Sequence, residues 1–153
     1  MQTNATLQEQ LILEHIKKLE SAEKNFIPFV RHVWPDFISG YHHRKIAKKF
    51  EDIAQGKIKR LIVNMPPRHT KSEFASFLLP AWMIGRKPDL KIIQTTHTTE
   101  LAVRFGRKAK TLIDSPEYQQ IFKTRLREDS QAAGKWETEQ GGEYYAAGVG
   151  SAI

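Results

Sequence analysis

Lys71 and Ser72 are the pair whose chemistry reads most directly from this chain. They close the octapeptide Met65-Pro66-Pro67-Arg68-His69-Thr70-Lys71-Ser72. The apolar run Arg60-Leu61-Ile62-Val63-Asn64 precedes it, and apolar residues resume at helical spacing after it. Strand, tight loop ending in Lys-Ser, then helix is the layout of a phosphate-binding loop. Backbone N–H groups of such a loop wrap the phosphates, the lysine reaches the β- and γ-phosphates, and the serine hydroxyl ligates Mg²⁺. The N-terminus of the following helix adds a favourable field for an anion. On this reading Pro67, Arg68, His69, Thr70, Lys71 and Ser72 line an ATP site, and Ser72 meets the Mg²⁺ carried on the nucleotide.

The pattern Gly-x-x-x-x-Gly-Lys-Ser/Thr is met only in part. Met65 stands at the first glycine position and Thr70 at the second. Glycine serves where the chain takes positive φ or lies close to a ligand. The plain alternative is a surface Lys-Ser dipeptide. The β-branched run ending at two prolines, and the helical spacing that follows, favour the loop.

The elements that must position this loop are read from periodicity and end signals. Thr6-Leu7-Gln8-Glu9 has the form of a capping box, and Leu7, Leu11, Ile12, Ile16 and Leu19 recur at helical spacing, which predicts an amphipathic helix from 7 to about 23. Asn25-Phe26-Ile27-Pro28 opens a short second helix that closes before Pro35. A third helix follows Gly40, over about 42–55, with Gly56 as its stop. Its other faces carry Arg44, Lys45, Lys48 and Lys49, a cluster expected to be solvated surface. Strand 60–64, the loop, and a helix from Lys71 kinked or split by Pro80 come next. Residues 91–96 form a second β-branched run, and a helix spans 98–113. Ser115-Pro116-Glu117 starts another helix, and residues 136–147 read as a β-hairpin around Gly141-Gly142. Strands alternating with helices predict an α/β fold: a P-loop NTPase core of parallel strands flanked by helices over 57–153, preceded by a helical segment over 1–56. The chain stops at Gly148-Val149-Gly150-Ser151-Ala152-Ile153 with no closing helix or polar tail, so an incomplete domain is expected.

Composition sets the outer bounds. The 153 residues suit one domain, and an apolar fraction of 40%, with eight Phe, four Tyr and three Trp, can fill a core. A net charge of +7 favours polyanionic partners, although a lysine-rich surface alone would give the same balance. There are no cysteines, hence no disulfide framework or thiolate metal site. No apolar run approaches the roughly 20 residues of a spanning helix, so a cytoplasmic location is the default expectation.

Three stretches in order resemble a known family. Pro66-Pro67-Arg68-His69-Thr70-Lys71-Ser72-Glu73, then Gln94-Thr95-Thr96-His97-Thr98 with Glu100-Leu101-Ala102, then Gly141-Gly142-Glu143-Tyr144-Tyr145 with Ala147-Gly148-Val149-Gly150, resemble the ATPase domain of tailed-phage terminase large subunits. The resemblance runs over roughly residues 26–153. It implies a P-loop ATPase of the additional-strand type that uses ATP and Mg²⁺ to drive double-stranded DNA into a procapsid. The implied setting is the host cell cytoplasm at the procapsid portal, in a ring of copies with the portal protein and the small terminase subunit. It puts Lys71 and Arg68 in the catalytic positions, although some members carry that arginine where this chain has Pro67. It sets Tyr41 and His43 at the adenine. A zinc site at His42-His43 is not expected, because further ligands are absent nearby. The family's acidic (Walker B) strand and its nuclease domain would follow residue 153, so the chain alone is expected to turn ATP over hardly at all. Two other readings stay open: a helicase-like nucleic-acid translocase, and a non-catalytic basic module that binds DNA or a partner protein.

Overall fold

The computed structural model describes residues 2–150. In chain order the elements are α1 (Gln2–Lys24), α2 (Phe26–Val33), α3 (Tyr41–Ala54), α4 (Lys71–Glu73), a π-helical turn (Phe74–Leu78) and α5 (Leu79–Arg86). They continue with β1 (Lys91–Thr96), α6 (Thr99–Ile113), α7 (Pro116–Ile121), β2 (Leu126–Ala132), β3 (Lys135–Thr138) and β4 (Glu143–Gly148). The expected break at Ser151–Ile153 lies outside the described residues.

End signals work as the residue types require. Gly56 takes φ +72° just past α3. The Thr98 hydroxyl accepts from Leu101 N–H at 3.3 Å and caps α6, and Ser115 caps α7 with Pro116 at its first position. Thr6, by contrast, lies inside α1 and not at its start. Gln2 to Ala5 contain no breaker, so α1 runs through the expected capping box. Only the far end of α1 packs. Ala22 is buried, whereas Leu7, Leu11, Ile12 and Ile16 remain between 44% and 59% exposed. Pro80 is accommodated without a break. One turn ahead of it the bonding register widens, with Leu79 N–H reaching back five residues to the Phe74 carbonyl, a π-turn that makes room for the proline ring.

The sheet corrects the expected fold class. Four strands lie in the order β1-β4-β3-β2. β1 and β4 are parallel, from Lys91 opposite Glu143 to Thr96 opposite Gly148, while β4-β3 and β3-β2 are antiparallel. This mixed sheet, with a single parallel pair, is not the parallel P-loop sheet that alternation of strands and helices predicts. Two segments account for the difference. Residues 60–64 place Leu61 and Val63 against the core, with Ile62 87% exposed, but join no ladder among the described residues. Leu126–Ala132, too polar to read as a strand, becomes an edge strand instead. It is fixed by backbone pairing to β3 and by Arg127, whose guanidinium holds Glu137 at 2.7 Å and Asp129 at 2.6 Å. An edge strand can be charged because one side of it faces water.

One hydrophobic cluster joins the N-terminal helices to the sheet. Phe26 sits at its centre, edge-on to Phe50 and Phe74 at 5.4 Å and to Trp82 at 5.5 Å. Two of the buried aromatics have their polar ends satisfied by backbone: Trp82 Nε1 donates to Ala22 O, and Tyr118 Oη to Ala81 O. α6 lies close on the sheet at Gly106, where a Cβ would stand 2.6 Å from the Ala133 carbonyl. Among the described residues no helix is long and apolar enough to cross a membrane.

Candidate phosphate-binding site

The loop before α4 owes its shape to two left-handed residues. Arg68 has φ +64° and Thr70 has φ +58°, the non-glycine residues with positive φ among those described. For an L-residue that conformation costs roughly 1–2 kcal/mol, and a β-branched side chain makes it worse. Thr70 therefore adopts the backbone that the second glycine of the loop pattern would take without strain. The turn is fixed by short bonds. Thr70 Oγ1 donates to His69 O at 2.7 Å, His69 Nδ1 donates to Pro67 O at 2.9 Å, and Phe74 N–H donates to Thr70 O at 2.9 Å.

Lys71 opens the helical run that continues to Arg86, and Ser72 follows it, exposed. Lys71 Nζ donates to the Met65 carbonyl at 3.2 Å, spanning the loop from end to start. An open hollow of about 510 Å³ lies over this turn, lined by Pro66, Pro67, Arg68, Lys71, Ser72 and Glu73 among others. Its charge balance is cationic. Glu73 is the one carboxylate in the lining, and Lys108 Nζ lies 2.9 Å from each of its oxygens. Arg68 is exposed at the rim.

Behind the loop stands His43, 7% exposed, packed between Phe37 and Phe74 with ring centroids at 4.9 and 5.2 Å. Gly40 N–H donates to His43 Nδ1 at 2.9 Å. A backbone N–H can only donate, so Nδ1 bears no proton and the ring's proton is on Nε2. That nitrogen lies 2.7 Å from Thr70 Oγ1 and 3.1 Å from His42 Nε2. Burial, and then the neighbouring His42 and His69, hold His43 below the usual histidine range. Tyr41 is 73% exposed on the first turn of α3.

Pro67, Arg68, Thr70, Lys71 and Ser72 thus surround one hollow, with His69 and His43 supporting the turn. Sequence reasoning missed Lys108, which engages Glu73 from 35 positions away and carries no local signal. It named His42 beside Tyr41 and His43, but not the contact of His42 Nε2 with His43 Nε2 at 3.1 Å.

Comparison with known protein families, curated proteins and solved structures gives no match for this chain. The site is therefore argued from its own chemistry. Among the described residues no three His, Cys, Asp or Glu side chains come together to hold a metal. At the hollow, Ser72 offers a hydroxyl and the Glu73 carboxylate is engaged by Lys108. That donor set fits a hard cation carried in on phosphates, not one caged by protein oxygens. A second hollow, about 300 Å³, lies between α3, including His42, and residues 61–65, and meets the loop at Met65. Its walls are apolar (Ile46, Leu61, Val63), and Lys45 and Lys49 are at its edge.

Proposed function

We propose that residues 65–72 bind the phosphates of ATP, and that the chain is the ATP-binding part of a terminase large subunit. The single observation behind the phosphate reading is the left-handed turn at Arg68 and Thr70 immediately before Lys71 and Ser72. A turn of that kind, leading into a helix, aims successive N–H groups at one point and forms an anion-binding concavity. Lys71 exchanges the Met65 carbonyl for phosphate oxygens, Arg68 reaches over from the rim, and Ser72 presents its hydroxyl. The Ser72 hydroxyl would meet Mg²⁺ carried in on the nucleotide, which would supply charge neutralisation at the phosphates.

The terminase assignment rests on the three sequence stretches that resemble that family. It carries with it double-stranded DNA as the substrate moved, a ring of copies, the portal protein and small terminase subunit as partners, and the host cytoplasm at the procapsid portal as the setting. One observation favours a second reading, a module that binds nucleotide without hydrolysing it. The carboxylate lining the hollow, Glu73, is neutralised by Lys108.

A titration of fluorescently labelled ATP tests the proposal, with and without Mg²⁺, on the wild-type chain and on Lys71→Ala. Saturable binding that needs Lys71 is expected, with unchanged circular dichroism. Equal affinity in the two proteins would remove the phosphate assignment.

A further inference from the structure

We propose that His43 is a positioning residue for the phosphate loop: its Nε2–H holds the Thr70 hydroxyl and so keeps position 70 in the left-handed conformation that shapes the anion cradle. The inference rests on the phosphate reading of the loop, and goes beyond it by assigning the residue that maintains the loop's shape.

The direction of each bond follows from the first. Gly40 N–H donates to His43 Nδ1 at 2.9 Å, which leaves the ring proton on Nε2. His43 Nε2–H then donates to Thr70 Oγ1 at 2.7 Å. Thr70 Oγ1–H in turn donates to the His69 carbonyl at 2.7 Å, so the hydroxyl has an open lone pair for the imidazole. The chain of bonds starts at the backbone before α3 and ends in the loop, 27 positions away from the histidine. His43 itself cannot swing out, because it is buried between Phe37 and Phe74. It is a fixed post, and the loop is the part it fixes.

Threonine is what makes such a post necessary. A glycine at position 70 would take φ +58° without steric opposition, whereas threonine reverts to negative φ unless something holds it. Reversion would turn the neighbouring N–H groups away from the hollow and shift Lys71 with them. The bland alternative is a core histidine that packs between two rings and happens to meet a hydroxyl. The two accounts differ in one respect: only positioning through Thr70 makes the effect of His43 depend on which residue stands at 70.

Four proteins decide it: wild type, His43→Phe, Thr70→Gly and the double variant. Phenylalanine keeps the ring packing and removes the hydrogen bond. Each is titrated with fluorescently labelled ATP and Mg²⁺. His43→Phe should weaken binding about tenfold in the threonine background, which is about 1.4 kcal/mol. In the glycine background the same change should alter affinity less than about twofold, a difference that measures the coupling. Equal losses in both backgrounds, or no loss in either, would overturn the proposal. His43→Gln, which retains an N–H donor, should stay near wild type, and its failure to rescue would count against the bond. Should the wild-type chain not bind ATP at all, the phosphate reading fails separately. The nucleotide-free proteins then judge His43 alone: backbone chemical shifts should report positive φ at Thr70 in wild type and negative φ in His43→Phe. Positive φ in both would refute the positioning role.

Discussion

Lys71 Nζ donates to the carbonyl of Met65 at 3.2 Å, so the cationic residue that ends the loop is bonded to the residue that begins it. The spacing of six fixes the loop's width before any ligand arrives. Lys71 is half-buried, with Met65, His43 and Phe74 lining the same crevice. A compact ammonium with rotatable donors suits that position. A planar guanidinium does not, because its fork needs a wider seat. Lys71→Arg should fold like wild type and bind labelled ATP at least about tenfold more weakly, a loss of about 1.4 kcal/mol. Wild-type affinity in the arginine variant would mean that charge alone matters at this position.

Thr70 carries two opposing terms that substitutions can separate. Thr70→Gly relieves roughly 1–2 kcal/mol of left-handed strain and leaves the buried His43 Nε2–H without its acceptor, a loss of about 1–3 kcal/mol. The net change in stability should lie within about 2 kcal/mol of zero. Thr70→Val keeps the β-branch and its strain, removes the hydroxyl, and leaves His43 Nε2–H buried without that acceptor, a loss of about 1–3 kcal/mol. Urea denaturation should rank glycine clearly above valine. The reverse order would show that the backbone at position 70 is not left-handed in solution.

The later helices were legible because their signals are local: Ser115-Pro116 starts α7 and Gly56 stops α3. The hairpin of β3 and β4 was legible from alternation around Gly141-Gly142. One strand reading went astray and one strand went unread for the same reason, that pairing is decided by what lies alongside. The stretch 60–64 has strand composition and gains no partner among the described residues, whereas Leu126–Ala132 has surface composition and gains β3. The site divides the same way. Arg68 to Ser72 are contiguous and could be read as a loop. The contacts of His43 with Thr70 and of Glu73 with Lys108 span 27 and 35 positions, and only the fold brings them together.

Acid should weaken the fold through His43. Burial, followed by the nearby His42 and His69, lowers its pKa from the ordinary value of 6.5. Protonation would also place a hydrogen on Nδ1, facing the Gly40 N–H. The unfolded chain takes up this proton near pH 6.5, the folded chain only at lower pH. Between those points the unfolded state holds more protons, so stability is complete above the ordinary histidine pKa and falls as pH drops through the window. Urea midpoints at pH 7.5 and 5.5 measure the slope. His43→Phe should flatten it; an unchanged slope would assign the acid sensitivity to another group.

Tyr144 offers a test of the core beneath α6. The side chain is fully buried and stacked on Trp136, with centroids 4.7 Å apart and planes within 2°. Its hydroxyl has no hydrogen-bond partner among the described residues. A buried polar group without a partner costs about 1–3 kcal/mol, and deleting it removes that cost while keeping the ring. Tyr144→Phe should be neutral or stabilising by about 1 kcal/mol in thermal or chemical denaturation. A loss of that size would mean that the hydroxyl is bonded in solution.

Hydrolysis is the property in which the loop and its surroundings part company. Glu73 is the carboxylate lining the hollow, and Lys108 lies 2.9 Å from both its oxygens. A carboxylate held that way is poorly placed to orient an attacking water, and Glu100 is exposed on the first turn of α6. This chain should therefore bind ATP with Mg²⁺ and turn it over far below the roughly 1 per second at the lower end of ordinary enzyme rates. Glu73→Gln should leave that slow rate unchanged and cost at most about 1 kcal/mol in stability, the range for a partly exposed ion pair. Phosphate release in single- and multiple-turnover assays gives the rate. Fast turnover lost in both Lys71→Ala and Glu73→Gln would instead mean that Glu73 leaves Lys108 when nucleotide binds and serves as the catalytic carboxylate.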